Sequence, residues 1–119
     1  MKVIIAGSRT INEITAIVKA VEESKFDVKE VVCGEAKGVD QLGKLWANLK
    51  EIPVTSFIAN WTVHGKTAGF IRNQEMAEYA DALIAVWDGT SKGTKDMIER
   101  ATVRGLKVFI FIPPSPYPI

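Results

Sequence analysis

The sequence predicts an α/β domain in three layers, with a five-stranded, mainly parallel sheet between two layers of helices. Five apolar runs rich in β-branched residues alternate along the chain with stretches of helical spacing. The runs do not alternate polar and apolar residues, which is typical of parallel strands buried on both faces. Alternating strand and helix units of this length indicate right-handed crossovers within one sheet. At 119 residues the chain is expected to form one domain, 1–119.

The predicted strands are the five apolar runs themselves. They cover residues 2–6, 30–33, 53–58, 82–87 and 107–112. The proline-rich tail, 113–119, cannot continue a strand or a helix, because proline lacks the backbone N–H donor. We therefore expect the tail to end the domain.

Four helices are predicted between these strands. The first two are indicated by apolar stripes at helical spacing, namely Ile14, Ile17, Val18 and Val21, and then Val39, Leu42, Leu45 and Leu49. The third is expected across roughly 67–79. The fourth is expected across roughly 94–104, with its inward face formed by Met97, Ile98 and Ala101. Gly105 fits a helix C-cap before the last strand.

Composition narrows the classes of function. Lys and Arg number 15 against 14 Asp and Glu, a net charge of +1, which gives no electrostatic basis for non-specific nucleic-acid or membrane binding. A single cysteine, Cys33, excludes an internal disulfide and a cysteine-rich metal site, and is expected to be buried rather than reactive. His64 has no second histidine with which to share a metal, so we expect neither a metal nor a cofactor. No apolar stretch approaches the roughly 20 residues that cross a bilayer, and a cytoplasmic protein is expected.

Polar and glycine-rich segments follow the first two predicted strands. In open parallel sheets, ligands bind at the carboxyl ends of the strands, so these segments are candidate binding loops. After the first strand, Gly7 allows a sharp turn, and Ser8 and Arg9 either contact a phosphate or carboxylate or form a plain turn with a solvent-facing arginine. This first loop lacks the G-x-G-x-x-G spacing of dinucleotide-binding loops, and the second loop, 34–40, lacks the Walker spacing of phosphate-binding loops.

The second loop carries two glycines four residues apart. Gly34 and Gly38 free backbone N–H groups near a helix N-terminus, and Lys37 adds a positive charge, a combination that favours an anion site. Asp40 either accepts a hydrogen bond from a ribose hydroxyl or stabilises the positive end of the helix.

The third loop and the helix after it supply basic and aromatic candidates. Lys66 and Arg72 are six residues apart, so they act together only if Lys66 lies in the loop before the helix. Asn73 adds an amide, and Trp61 is a candidate for stacking on a base, with a position in the core as the alternative.

The fourth loop is predicted to hold phosphate. The predicted strand ends at an aspartate, and the glycines and hydroxyl residues after it give a ligand access to the backbone and supply hydrogen-bond donors. The residues are Asp88, Gly89, Thr90, Ser91, Gly93 and Thr94. On its own this segment is equally compatible with a tight turn.

Three long segments of the chain, taken together, resemble a known family. They are "VIIAGSRT", "CGEAKGVDQLGKLWA" and "IANWTVHGKTAGFIRNQEMAEYADALIAVWDGTSKGT". They are similar to the YspA-like family of the SLOG superfamily, which also includes the LOG phosphoribohydrolases and the Rossmann-like domain of DprA. The resemblance implies a Rossmann-like fold and a nucleotide or nucleotide-derived ligand.

The similarity to LOG enzymes carries over unevenly. Arg72, Gly93 and Thr94 match the arginine and the phosphate loop of those enzymes, but their acid three positions after the threonine is Met97 here. Asp96 is adjacent, about 100° away on a helix. The LOG set is therefore incomplete, and the candidate catalytic residues are Arg72 and a compensating carboxylate, Asp88, with Asp40 or Glu75 as the alternatives.

Three functions follow from these observations. The leading one is a sensor or sequestering protein that binds a nucleotide-type small molecule. The alternative is an enzyme that cleaves a nucleotide N-glycosidic or phosphate bond. A DNA-associated role, by analogy with DprA, requires a basic face that the balanced charge does not favour. Related domains commonly pair through helices, so a homo-oligomer is expected.

Overall fold

The computed structural model describes residues 1–114, so the end of the predicted tail, 115–119, lies outside the described residues. Within this range one parallel sheet contains five strands in the order β3-β2-β1-β4-β5. The strands are β1 (Lys2–Gly7), β2 (Glu30–Cys33), β3 (Val54–Ser56), β4 (Ala82–Val86) and β5 (Lys107–Phe111). The all-parallel sheet confirms the predicted α/β, Rossmann-like class.

The helices lie on both faces of this sheet. In chain order they are α1 (Ile14–Ser24), α2 (Val39–Leu49), α3 (Trp61–His64), α4 (Ala68–Tyr79) and α5 (Lys92–Val103). Helices α1 and α2 pack on the face that carries Val3 and Ile5, and α4 and α5 pack on the face that carries Ile4 and Ala6. Because successive strand residues point to opposite faces, the central strand β1 contributes to both halves of the core. The three-layer arrangement is confirmed.

The prediction for the buried face of α2 was wrong in part. Leu45 is 46% exposed and Leu49 is 67% exposed, whereas Val39, Gly43 and Trp46 are buried. The cause is close packing against β1: a Cβ on Gly43 would lie 2.8 Å from Cγ2 of Ile5. The helix therefore turns its glycine toward the sheet, and this rotation leaves the two leucines in solvent.

The predicted loop before the third helix is partly helical. The short helix α3 and a 3₁₀ turn, Gly65–Thr67, precede α4. The side chain of Asn60 caps α3 by accepting a hydrogen bond from the N–H of Val63 at 3.1 Å. Lys66 lies in the 3₁₀ turn, outside α4, as the joint action of Lys66 and Arg72 requires.

The end of α5 confirms the predicted C-cap. Gly105 has φ of +83°, a left-handed conformation that favours glycine. Its N–H donates to the carbonyl of Thr102, and the N–H of Leu106 donates to the carbonyl of Ala101. Met97 and Ala101 face the core as predicted, and Ile98 packs partly buried against it.

The described helices are short. Across residues 1–114, none of them combines the length and the apolar character that a membrane span requires.

Candidate functional site

A cleft of about 350 Å³ opens at the carboxyl edge of the sheet. The ends of β1 and β4 meet there with the first turns of α2 and α5 and with the segment from α3 to α4. Many of the predicted site residues line it, namely Gly7, Arg9, Asp40, Trp61, Lys66, Arg72, Asn73, Asp88, Ser91, Gly93 and Thr94. The edge of the sheet thus brings together residues from all four predicted loops.

Other predicted site residues do not line this cleft. They are Ser8, Gly34, Lys37, Gly38, Gly89 and Thr90. Lys37 is exposed. Ser8, Gly34 and Gly38 instead make contacts that hold the loops in place.

Ser8 is buried where three elements meet. Its Oγ accepts a hydrogen bond from the N–H of Asp88 at 2.9 Å, and its carbonyl accepts one from the N–H of Val39 at 3.3 Å. Gly38 has φ of +75°, and a Cβ there would lie 2.5 Å from the carbonyl oxygen of Ser8. These two residues thus tie the ends of β1 and β4 to the start of α2.

Gly34 makes room for Arg72. A Cβ on Gly34 would lie 2.5 Å from Nη1 of Arg72, and that nitrogen donates a hydrogen bond to the carbonyl of Gly34. The Nε–H of Arg72 donates to Oδ1 of Asn73 at 3.2 Å. The guanidinium is therefore held against the second loop on the wall of the cleft.

Three cationic side chains line the cleft. Arg72 is half-buried, whereas Arg9 and Lys66 are exposed and come from two other elements. Charge-assisted hydrogen bonds from such groups are the strong ones that proteins form with phosphate and carboxylate. The cleft can therefore hold an anion.

Asp40 is a buried carboxyl group on the same cleft. It is 5% exposed, and Oδ2 accepts a hydrogen bond from the N–H of Ala36 at 3.1 Å. Burial raises the pKa of Asp40 to about 6, against the opposing effects of that hydrogen bond and of the charge on Arg72. This carboxyl group can exchange a proton close to neutral pH.

Asp88 has the opposite character. Its Oδ1 accepts hydrogen bonds from the N–H groups of Thr90 and Ser91, both at 2.8 Å. These bonds hold the pKa of Asp88 below its usual range. Two donors of the predicted phosphate loop are thus already bound to an acid within the loop itself.

The first turn of α5 offers the remaining donors of that loop. The first hydrogen bond of the helix runs from the N–H of Lys95 to the carbonyl of Ser91, so the N–H groups of residues 92–94 have no partner within the helix. A Cβ on Gly93 would meet no atom within 4 Å. Thr94 is buried and its hydroxyl donates to Oγ of Ser91 at 3.3 Å. The backbone at Gly93 is the open approach to this turn.

The floor of the cleft is apolar. Met97 is buried there with Ala6 and Met76, at the position where the LOG resemblance expects an acid. Asp96 lines a separate groove instead. Glu75, a carboxylate on α4, is exposed and does not line the cleft either.

Some lining residues were missed by the sequence analysis. Phe70 is 42% exposed at the cleft, and Gly69 and Thr10 also line it. Phe70 lies three residues before Asn73 on α4, so helical spacing was a signal that could have found it. Cys33 is buried, and burial raises the pKa of its thiol, as expected for an inert cysteine.

Comparisons with known proteins agree with this fold. A family model described as "YspA, cpYpsA-related SLOG family" matches residues 1–64. The Gene 61 protein of Mycobacterium phage D29 is 33% identical over 120 residues, covering 92% of this chain and 95% of the phage protein.

A solved structure is also similar. The X-ray structure of DNA processing protein A (DprA) from Streptococcus pneumoniae matches with a TM-score of 0.74 and 20% identity, over 97% of this chain. The chain spans 51% of the DprA chain, about half its length. At this identity the similarity shows a shared fold.

Proposed function

The chain belongs to the YspA, cpYpsA-related SLOG family, and we propose that it binds a nucleotide or a nucleotide-derived ligand in the cleft. The observation that carries the proposal is the convergence of Arg9, Lys66 and Arg72 on one cleft beside the first turn of α5. Cationic side chains and free helix N–H groups together are the donors that bind phosphate in proteins.

The other lining residues match the remaining parts of such a ligand. Trp61 is 55% exposed at the cleft, where its ring can stack on a base. Asp40 can accept a hydrogen bond from a ribose hydroxyl. Met97 brings no carboxylate to the cleft floor, so a sensor or sequestering protein fits the lining better than a LOG-type hydrolase.

Titration calorimetry with nucleoside phosphates, ADP-ribose and cyclic nucleotides tests this proposal. We expect at least one of them to bind and Arg9→Ala to weaken that binding about tenfold or more, because a hydrogen bond to a charged group contributes roughly 1.5–3 kcal/mol. Arg9 is exposed, so its removal should leave the fold intact.

Lys37→Ala is the matched control. It removes one exposed positive charge from the second loop, at a residue that does not line the cleft. We expect its binding to match that of the wild-type protein. Absence of heat across the whole panel, or equal losses in the two variants, would contradict a nucleotide site in this cleft.

A second function, cleavage of the bound nucleotide, is favoured by one observation. Asp40 is buried on the cleft with a pKa of about 6, the range in which a carboxyl group serves as a general acid or base near neutral pH. Asp88 is less suited to donate a proton, because its pKa is lowered and its Oδ1 is bound to two N–H groups. Asp40 thus joins Arg72 as the pair to test.

Chromatography of nucleotides after long incubation separates the two functions. Turnover releases a free base or phosphate, and Asp40→Asn should abolish that release while binding persists. If a nucleotide binds to the wild-type protein and remains intact, the cleavage hypothesis fails and the binding function stands.

A further inference from the structure

Asp96 lies outside the cleft and is nevertheless connected to it through hydrogen bonds. It lines a separate groove with Gln74 and Arg100. Its Oδ2 accepts hydrogen bonds from Nδ2 of Asn73 at 3.0 Å and from Nε of Arg100 at 2.8 Å. Arg100 is held in turn by Oε1 of Gln74 at 3.1 Å. The carboxylate is thus fixed from both helices, α4 and α5.

This arrangement determines how the amide of Asn73 is oriented. An ionised carboxylate only accepts hydrogen bonds, so the NH₂ group of Asn73 must face Asp96. The same Nδ2 donates to the carbonyl of Gly93 at 3.3 Å. Asn73 is 5% exposed, so its side chain has little freedom to turn over. Its Oδ1 consequently faces the other way, toward Arg72.

The orientation of this amide matters for the cleft. Oδ1 of Asn73 accepts the Nε–H of Arg72, and the carbonyl of Gly34 accepts from Nη1. These two bonds occupy two of the five N–H donors that the guanidinium carries in a rigid plane. The remaining donors of Arg72 are then presented on the wall of the cleft.

We propose that Asp96 is a positioning residue, which orients the guanidinium of Arg72 for an anionic ligand through the side-chain amide of Asn73. The proposal rests on the proposed function in so far as Arg72 binds that ligand. The bond from Asn73 to Gly93 extends the effect to the first turn of α5, where the open N–H groups lie. One carboxylate outside the cleft therefore acts on two of its anion-binding elements.

The ligand-free protein provides the first test. The Nε–H signal of Arg72 in nuclear magnetic resonance reports its hydrogen bond to Asn73 through its rate of hydrogen exchange. We expect Asp96→Ala to speed this exchange about tenfold, because the amide of Asn73 becomes free to turn. Asp96→Asn retains an acceptor oxygen, so we expect most of the protection to remain.

Glu99→Ala is the matched control for this measurement. It removes a carboxylate from the same helix and the same groove, without a hydrogen bond to Asn73 among the described residues. Exchange at Arg72 should match that of the wild-type protein. Unchanged exchange in Asp96→Ala, or an equal change in Glu99→Ala, would overturn the positioning role.

A double-mutant cycle provides the second test, with ADP-ribose as the probe, or with the tightest-binding nucleotide of the panel. We expect Asp96→Ala to weaken binding about three- to tenfold, the range typical of residues coupled through one network. In an Arg72→Ala background the same substitution should lose most of its effect, since its main action passes through Arg72 and only the part that passes through Gly93 remains. Losses that multiply in the double variant would show independent action and would refute the proposal.

The two tests separate this inference from the function on which it rests. If the wild-type protein binds no member of the panel, the proposed function fails, and the exchange measurement still decides whether Asp96 positions Arg72. If Asp96→Ala does not fold, Asp96→Leu takes its place, because leucine keeps a side chain of similar shape and removes the acceptor oxygens. Exchange at Arg72 that is no faster in Asp96→Leu than in Glu99→Ala would then count against the proposal.

Discussion

Among the described residues, Asp40 is a titratable group whose pKa is raised strongly by the fold. It is 5% exposed and carries one backbone hydrogen bond, from Ala36. Burial disfavours the charged form more than Arg72 and that hydrogen bond favour it, so the pKa of Asp40 rises from 3.8 to about 6. At neutral pH the carboxylate of Asp40 is therefore ionised in a buried environment, which lowers the stability of the folded protein.

This shift predicts a pH dependence of stability. Between the unfolded pKa of 3.8 and the folded pKa of about 6, the folded state binds more protons than the unfolded state. The contribution of Asp40 to stability consequently falls as the pH rises through this window. We expect Asp40→Asn to remove this fall and to raise the free energy of unfolding at pH 7 by up to about 3 kcal/mol.

Urea denaturation at a series of pH values measures this effect as the difference between Asp40→Asn and the wild-type protein. Asp27→Asn is the control, because the side chain of Asp27 is 76% exposed. Its difference from the wild-type protein should stay small at every pH. A difference for Asp40→Asn that does not grow between pH 4 and pH 6 would contradict the burial argument.

At the scale of elements, the contact of α2 with β1 decides which side of the helix is buried. Gly43 lies against Ile5, a buried β-branched residue that cannot easily move. Leu45, two positions later, is 46% exposed. Close approach of the helix to the sheet, rather than the number of leucines, thus sets the orientation.

Two substitutions on α2 test this packing. Gly43→Ala places a Cβ 2.8 Å from Cγ2 of Ile5. Overpacking lowers the free energy of unfolding by about 1–3 kcal/mol, whereas the higher helix propensity of alanine raises it by only about 1 kcal/mol. We expect a net loss of stability of up to about 2 kcal/mol, measured by urea denaturation.

Leu45→Ala is the companion variant. If the leucine faces solvent, its truncation should change the free energy of unfolding by no more than about 0.5 kcal/mol. A larger loss for Leu45→Ala than for Gly43→Ala would mean that the leucine side of α2 is the buried one.

At the scale of the whole molecule, several large apolar side chains are exposed in one segment. Between residues 58 and 70, Ile58, Trp61, Val63 and Phe70 are between 42% and 77% exposed. Concentrations of exposed apolar surface are typical of interaction sites. Homo-oligomerisation stays a prediction. We expect this segment to form the interface, so that a charged substitution within it disrupts the oligomer.

Sedimentation velocity tests the oligomeric state. We expect a species larger than the 13.1 kDa monomer, and a shift toward the monomer in Val63→Lys, because a buried lysine is costly. Val103→Lys is the control, since Val103 is 89% exposed on α5. A monomeric wild-type protein at calorimetric concentrations would refute the prediction.

The sheet class and the edge at which the polar loops meet are predictable from the sequence, because strand–helix alternation and buried apolar runs are local patterns with a general geometric meaning. Helix α3 was missed, because its four residues carry little periodicity. The wrong face was assigned to part of α2, because that face depends on the packing of Gly43 against Ile5, which is distant in the chain.

The sequence predicted which loops form the candidate site, but it did not show which of their residues face a ligand and which hold the loops together. Ser8 and Gly38 were predicted to contact a ligand; in the structure they do not line the cleft, and their contacts connect β1 to α2. Asp88 was predicted to line the site, and it does so while binding the N–H groups of its own loop. Such roles follow from hydrogen bonds that a list of residue types does not contain.

The amino-acid sequence alone establishes that this protein is an α/β domain with its polar loops at one sheet edge. Local periodicity decides where strands and helices form, and the parallel connection places every strand's carboxyl end on the same side. The strand order and the polar groups that remain open to a ligand follow instead from tertiary packing. Arg72 is held by Gly34, 38 residues away in the chain, and Asp96 holds Asn73 across 23 residues. Such pairs depend on how separate elements pack, and no local pattern encodes that packing.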